Sequence, residues 1–480
     1  MNNVHRINLW LFFCSFGQTK MKRKALIYSI IVILLVALIA KRVFNFHIGK
    51  NNKVTFTEQI APIIYKKCTT CHRPGSDAPF DLITYNDVRK RSKMIQKVTE
   101  SRFMPPWPAD ATYSHFADEK VLSDSDINLI KQWVEDGAPY GDSSKLPAQP
   151  HYAVGSQLGT PDLVLKMLKP HHIIGNNKDK FYLMKIPYEL PKDTFVRAIE
   201  FVPGTPKGVH HVNGQLITYD EGKKKNVFGG DYIVDTDTAT HEQGFKKMDI
   251  PNDDGTYPTL TPSVTNYLPG VIATIYPEGI GGYKMGKKGA ILLSEIHYGP
   301  SSIDRDDTSY CNIFFDKNPP KRPIAEITMG TLGVSPVIPK LVIPPNTVKT
   351  FHTSAIVPID ISVLTVNPHM HLLGKSFLAY AITPKNDTIP LIRINNWDFR
   401  WQYFYTYKKM VKIPKGSQIY AEGMYDNTSN NPLNPNNPPQ TVSEKNGSMR
   451  VTDEMFQFII TYLPYQNGDE NVSLEGVKLN

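Results

Sequence analysis

The chain has 480 residues, of which 41% are hydrophobic and 21% charged, and a formal net charge of +9. Such a length gives about three domains of ordinary size, and such a balance gives real cores, which excludes a disordered chain. Its 38 prolines exceed what a helical bundle carries, and no basic stretch with interleaved aromatics points to nucleic acid.

The first predicted element is the apolar run Ala25 to Ala40, with Lys22, Arg23 and Lys24 before it and Lys41 and Arg42 after it. Sixteen such residues are short for a spanning helix and right for a signal core or signal anchor. No small-x-small cleavage site follows. Residues 1–53 are therefore expected to be an N-terminal signal anchor and linker, with Met21 a natural start. The rest would then lie on the periplasmic side of a bacterial membrane.

Residues 54–142 read as helical. Thr55 and Glu58 fit a capping box, and Phe56, Ile60, Ile63 and Ile64 share one helical face. Ser123 and Asp126 fit a second box, followed by Ile127, Ile130, Trp133 and Val134, with Gly137 placed to stop the helix. Residues 143–157, rich in Ser, Pro and Gly, read as a linker. From 158 onwards short apolar or alternating runs stand between Pro, Gly, Asn and Asp, the pattern of antiparallel β structure. A break within Lys317 to Lys321 divides this region into two all-β, jelly-roll-like sandwiches, 158–322 and 323–480.

Of the four cysteines, Cys14 and Cys311 stand alone, so no disulfide framework is expected. Cys68-Thr69-Thr70-Cys71-His72 is C-x-x-C-H. Two thiols at this spacing can add to the two vinyl groups of one haem, and the adjacent histidine then reaches the iron. A redox dithiol would not need the histidine, and a second cysteine pair for a zinc site is lacking. Met104, in Met104-Pro105-Pro106-Trp107, is the candidate sixth ligand; Met94 sits at a helical core position. Residues 54–142 resemble a class I cytochrome c domain, which implies an all-α fold and one covalent c-type haem, attached outside the cytoplasm.

The β region carries four further motifs. In Gly208-Val209-His210-His211-Val212-Asn213, adjacent histidines on a regular strand point to opposite faces, so both reach one metal only at a bend. His171-His172 is a similar pair and warns against counting pairs. Glu295-Ile296-His297-Tyr298-Gly299-Pro300 ends an apolar strand. Pro368-His369-Met370-His371-Leu372-Leu373-Gly374 puts two histidines on one strand face, a good chelating arrangement. Thr452-Asp453-Glu454-Met455-Phe456 opens a strand.

The order HH, HYGP, HxHxxG, DEM resembles the copper type II, ascorbate-dependent monooxygenases, over roughly residues 160–480, and most closely bacterial members with a cytochrome c domain in front. The resemblance implies an electron-transfer copper held by His210, His211 and His297, and an O₂-activating copper held by His369, His371 and Met455. It also implies a multidomain fold: an all-α cytochrome domain followed by two sandwiches. The expected activity is hydroxylation of an activated C–H bond of a small-molecule substrate with O₂. Electrons would pass through the haem from an ascorbate-like reductant or a redox protein. Imidazoles suit copper and a thioether favours Cu(I). Members that hydroxylate peptides have an arginine and a tyrosine where this chain has Asn367 and Ile459, so a peptidyl-glycine substrate is not implied. The alternative reading is a non-enzymatic periplasmic electron-transfer or copper-binding protein.

Overall fold

A computed structural model describes residues 35–36, 53–445 and 450–477. The apolar run at 25–40 lies outside the described residues except for Leu35 and Val36. Among the described residues, no helix is long and apolar enough to cross a membrane.

The first half of the β region forms a five-stranded sheet in the order Ile233–Asp235, Lys180–Glu189, Lys288–Tyr298, Val209–Thr218, Thr259–Tyr267. A four-stranded sheet, Leu163–Lys166, Tyr310–Asp316, Thr194–Val202, Tyr283–Met285, faces it. Alternation of apolar residues supplies the shared core, including Ile186, Leu216, Ile291, Leu293 and Ile313. Every residue of Lys288–Tyr298 after the first is buried, as befits the central strand of its sheet.

The second half repeats the scheme. One sheet runs Ala325–Gly330, Phe456–Pro464, Ile361–Met370, Tyr405–Ile413; the other runs Thr347–Ile356, Gln418–Asn427, Gly374–Ile382, Thr388–Ile394. Ile361–Met370 is buried at every position. Residues 317–324 join the halves. There the Arg322 guanidinium donates to both oxygens of Asp469 (2.6 and 2.8 Å), pinning the connection to the far end of the chain.

The N-terminal region corrects the expected fold class. The chain is 36% strand and only 13% helix, and residues 54–142 do not form an all-α cytochrome domain. Their helices are short: Ala61–Lys67, Tyr85–Arg89, Ser92–Glu100 and Asp124–Glu135. The first is entered through a π-turn, Phe56–Ile60, and its N-cap, Ile60, makes no side-chain cap. The Ser123/Asp126 capping box forms.

The physical reason lies in where the apolar residues go. Phe56, Ile60, Ile64 and Trp133 bury locally. Residues 101–122, however, spend theirs on the second sandwich: Ala109 and Phe116 belong to its core, and they bridge Ile394 and Tyr407. Phe56–Asn480 is accordingly one compact unit.

Candidate metal and cofactor site

Three neighbouring strands position the first histidine cluster. Register puts His297 between Phe181 on one strand and His211 on the other. A β-bulge lies between Val209 and His211. The extra residue turns His210 towards the same side as His211, which a regular strand forbids. The ligand atoms of His210, His211 and His297 all lie within 4.8 Å of one another, the one such group of His, Cys, Asp or Glu among the described residues. The Nδ1 atom of His211 is 3.5 Å from that of His210 and 3.3 Å from that of His297.

The outer nitrogens are turned away. His297 Nε2 donates to the Asp179 carboxylate at 2.7 Å, which leaves Nδ1 as a bare lone pair facing the cluster. His211 Nε2 is 3.3 Å from Glu295 Oε1, out of hydrogen-bond alignment. The Phe181 ring stacks on His297 at 4.2 Å. Burial, reinforced by the His297 and His211 imidazoles, pushes His210 down to about 2, and burial also lowers His297. Neutral imidazoles at ordinary pH are the metal-binding form. Removing the carboxylate with Asp179→Ala is expected to weaken binding of an added divalent metal at this cluster by about 10- to 100-fold, read by chelator competition.

The second cluster sits at the end of Ile361–Met370. His369 and His371 share a face, with ring centroids 5.1 Å apart and planes at 85°. His371 Nδ1 donates to the Asp453 carbonyl at 3.0 Å, which again fixes the tautomer. The Nε2 atoms of both histidines are buried and have no partner. Two orphaned ring nitrogens in a closed site are what a metal would satisfy. Burial holds both imidazoles neutral; for His371, the effect of burial and then of His369 brings it to about 4. Pairing of Met370 with Phe456 brings Met455, 2% exposed, opposite His371 along the ladder.

Two residues outside the predicted set shape this end. The Glu454 carboxylate accepts from the backbone N–H groups of His371 (3.0 Å), Leu373 (2.7 Å) and Met455 (3.3 Å), joining the segment of His371 to that of Met455. Trp397 Nε1 donates to the His371 carbonyl, and its indole lies over Gly374. A Cβ at 374 would stand 2.5 Å from that ring, which accounts for the glycine. Asn367 donates to the Tyr403 carbonyl at 2.9 Å and is buried, so its amide serves the fold.

Phe399 stands between the clusters, its centroid 6.0 Å from His211 and 5.8 Å from His371. A cavity of about 50 Å³ is lined by residues of both clusters, His211 and His369, and by Glu295, Asn367 and Gln402. His171 and His172 join neither cluster: His172 is exposed and paired with Asp304 and Asp306.

The C-x-x-C-H segment borders a larger cleft of about 500 Å³, mostly apolar. Cys68, Cys71, His72, Met94 and Met104 line one side, and His210 and Trp401 the other. His72 Nδ1 donates to the Phe80 carbonyl at 2.9 Å, leaving Nε2 free to bind. Burial pushes the Cys68 thiol up to about 12 and raises Cys71 as well. Such a setting opposes thiolates and suits neutral thioethers.

Phe399, Asp179 and Trp401 carry no sequence signal that would have singled them out. Glu295 and Glu454 lie inside quoted motifs, but their burial was not readable there.

No curated protein matches the chain. Among solved structures, the infectious bursal disease virus VP2 subviral particle shares 8% identity over 67% of this chain and 76% of that one, with a TM-score of 0.17. The Gx strain of the same virus shares 7% over 66% and 78%, also at 0.17. At those scores the likeness carries no structural argument. The family described as copper type II ascorbate-dependent monooxygenase, C-terminal domain, matches residues 328–472, which include His369, His371 and Met455. Over those residues the chain is similar to the C-terminal domain of a copper-dependent monooxygenase, an oxidoreductase family that its second histidine cluster suits.

Proposed function

We propose that the protein is an extracytoplasmic copper monooxygenase that hydroxylates an activated C–H bond of a small molecule with O₂, supplied with electrons through a covalently bound c-type haem. The observation that carries the reading is the pair of buried, partnerless Nε2 atoms of His369 and His371 inside the matched residues 328–472.

His210, His211 and His297 would hold one copper through Nδ1, and His369, His371 and Met455 a second through Nε2 and sulfur. Copper there would supply one-electron chemistry and reaction with O₂, and haem in the cleft would supply electrons. The chain's own part is geometric. Asp179 and the Asp453 carbonyl fix which nitrogen His297 and His371 present. Burial of His371 and Met455 excludes bulk water. A buried thioether favours the reduced ion.

The 500 Å³ cleft is of cofactor size. It carries two cysteines, His72 and Met104, which suit thioether attachment and axial ligation. His210 lines both the cleft and its own cluster, so the two redox sites would share a wall. A small reductant or redox protein would be the outside donor, and the basic-flanked run at 25–40 would anchor the chain on the periplasmic side of a bacterial membrane.

The narrowness of the 50 Å³ cavity favours a second reading, a non-enzymatic electron-transfer or copper-binding protein. The experiment is metal and haem counting on the anchor-free protein, made in a host that attaches c-type haem, with O₂ uptake in the reduced state. Two coppers, one haem and substrate-dependent uptake are expected. One haem with no copper would sink the proposal, and full loading without any uptake would favour the second reading.

A further inference from the structure

A second cavity, of about 110 Å³, lies between the two sandwiches. Arg197, Thr265 and Asn266 border it from the first, Glu326, Thr365 and Thr461 from the second. Arg197 Nε, Thr265 Oγ1 and Asn266 Oδ1 are buried without a hydrogen-bond partner. Left dry, each would carry the desolvation cost of an unpaired buried polar group. At ~30 Å³ per molecule there is room for three or four waters, with polar partners enough to hold them.

The smaller cavity beside His211, Glu295 and His369 shares Asn266, Thr274 and Phe404 with it, so the two adjoin through that partition. Asn213, on the wall of the smaller one, also has a partnerless buried oxygen, Oδ1. Glu326, on the edge strand Ala325–Gly330, also lines the larger cavity; the residue keeps part of its surface exposed while its carboxyl is largely enclosed. A polar line therefore runs from the carboxyl of a partly exposed edge-strand residue to the wall of the second histidine cluster.

Monooxygenation consumes protons: RH + O₂ + 2 e⁻ + 2 H⁺ gives ROH + H₂O. One oxygen atom enters the new C–O bond, and the other leaves as water with both protons. Those protons have to reach a site whose histidines are sealed from solvent. We propose that Glu326 and the two adjoining cavities form a water-filled proton route from the solvent edge between the sandwiches to the pocket beside His369. The proposal rests on the monooxygenase reading. Burial pushes the Glu326 carboxyl up to about 7 against a hydrogen bond from Ser263, so near neutral pH it both holds and releases a proton. The groups that border the same cavity with it are Arg197, Tyr276 and Tyr283, and burial keeps both phenols protonated.

The test compares wild type with Glu326→Gln, fully loaded with metal. Three readouts are taken: infrared titration of the buried carboxyl, the pH profile and solvent isotope effect of O₂ uptake, and a high-resolution crystal structure. Glu326→Gln is expected to keep its copper, lose a carboxyl band that titrates near neutral pH, and turn over at least ten-fold more slowly with a larger solvent isotope effect. Dry cavities, or a Glu326 band that titrates like an exposed carboxyl, overturn the route whatever the turnover. Equal turnover and pH profile in an active wild type and variant overturn it too. A loaded wild type that takes up no O₂ defeats the monooxygenase reading, and the infrared and crystallographic arms then decide the water path by themselves.

Discussion

In the proposed copper monooxygenase, Met455→Leu is expected to keep the fold but to lower O₂ uptake by the reduced protein on the order of 100-fold or more. Leucine nearly conserves volume, so the buried site opposite His371 stays filled, and what is lost is the sulfur. In the proposed site, loss of the thioether would leave the two imidazoles of His369 and His371 as ligands and would weaken the preference for Cu(I). Met455→Ala should behave alike in O₂ uptake and should in addition lose about 2–5 kcal/mol of stability through the cavity it leaves. Oxygen electrode traces alongside copper counts check the first effect, and urea unfolding checks the second. Uptake by Met455→Leu within a factor of three of wild type would remove the residue from the ligand set.

The second large effect belongs to Glu454, whose carboxylate is the partner of three buried N–H donors, at His371, Leu373 and Met455. In Glu454→Ala those donors are left without it, and a buried unpaired donor costs about 1–3 kcal/mol. A loss of about 3 kcal/mol or more in the metal-free protein is therefore expected, a large part of the ~5–15 kcal/mol that holds a typical domain together. Because two of the donors belong to His371 and Met455 themselves, the copper binding proposed for this cluster should fall together with stability. Glu454→Gln keeps the shape and one acceptor, so an intermediate loss is expected. The urea midpoint of the apo protein separates this from a metal effect; an unchanged midpoint in Glu454→Ala would show that the three bonds hold nothing.

The site was legible where its geometry is local. His369 and His371 are two residues apart, and the period of a strand alone puts them on one face. The adjacent pair His210 and His211 needed a bulge, and a bulge is a property of two strands: it arises where Val209–Thr218 meets Lys288–Tyr298, some eighty residues on in the chain. Phe399, Asp179 and Glu295 matter for the same non-local reason. The helical periodicity of residues 54–142 was real as far as it went, since short helices form at 61–67, 85–89, 92–100 and 124–135. What periodicity did not show was the destination of Ala109 and Phe116. Both left their own segment for the core of the second sandwich, and an all-α domain went with them.

That departure has a mechanical consequence. The segment carrying the C-x-x-C-H motif grips both sandwiches. Tyr267 of the first reaches Asp77, and Lys120 reaches the carbonyl of Gly270. On the second, Arg393 and Asn395 hold Asp110, Ala117 N donates to the Thr406 carbonyl, and the Tyr403 hydroxyl reaches the carbonyl of Pro106. It thus acts as a strap across a joint: for the sandwiches to swing apart, one set of these bonds has to break. Any opening around Phe399 is then confined to small local movements, and the two histidine clusters keep a nearly constant separation as long as the strap holds.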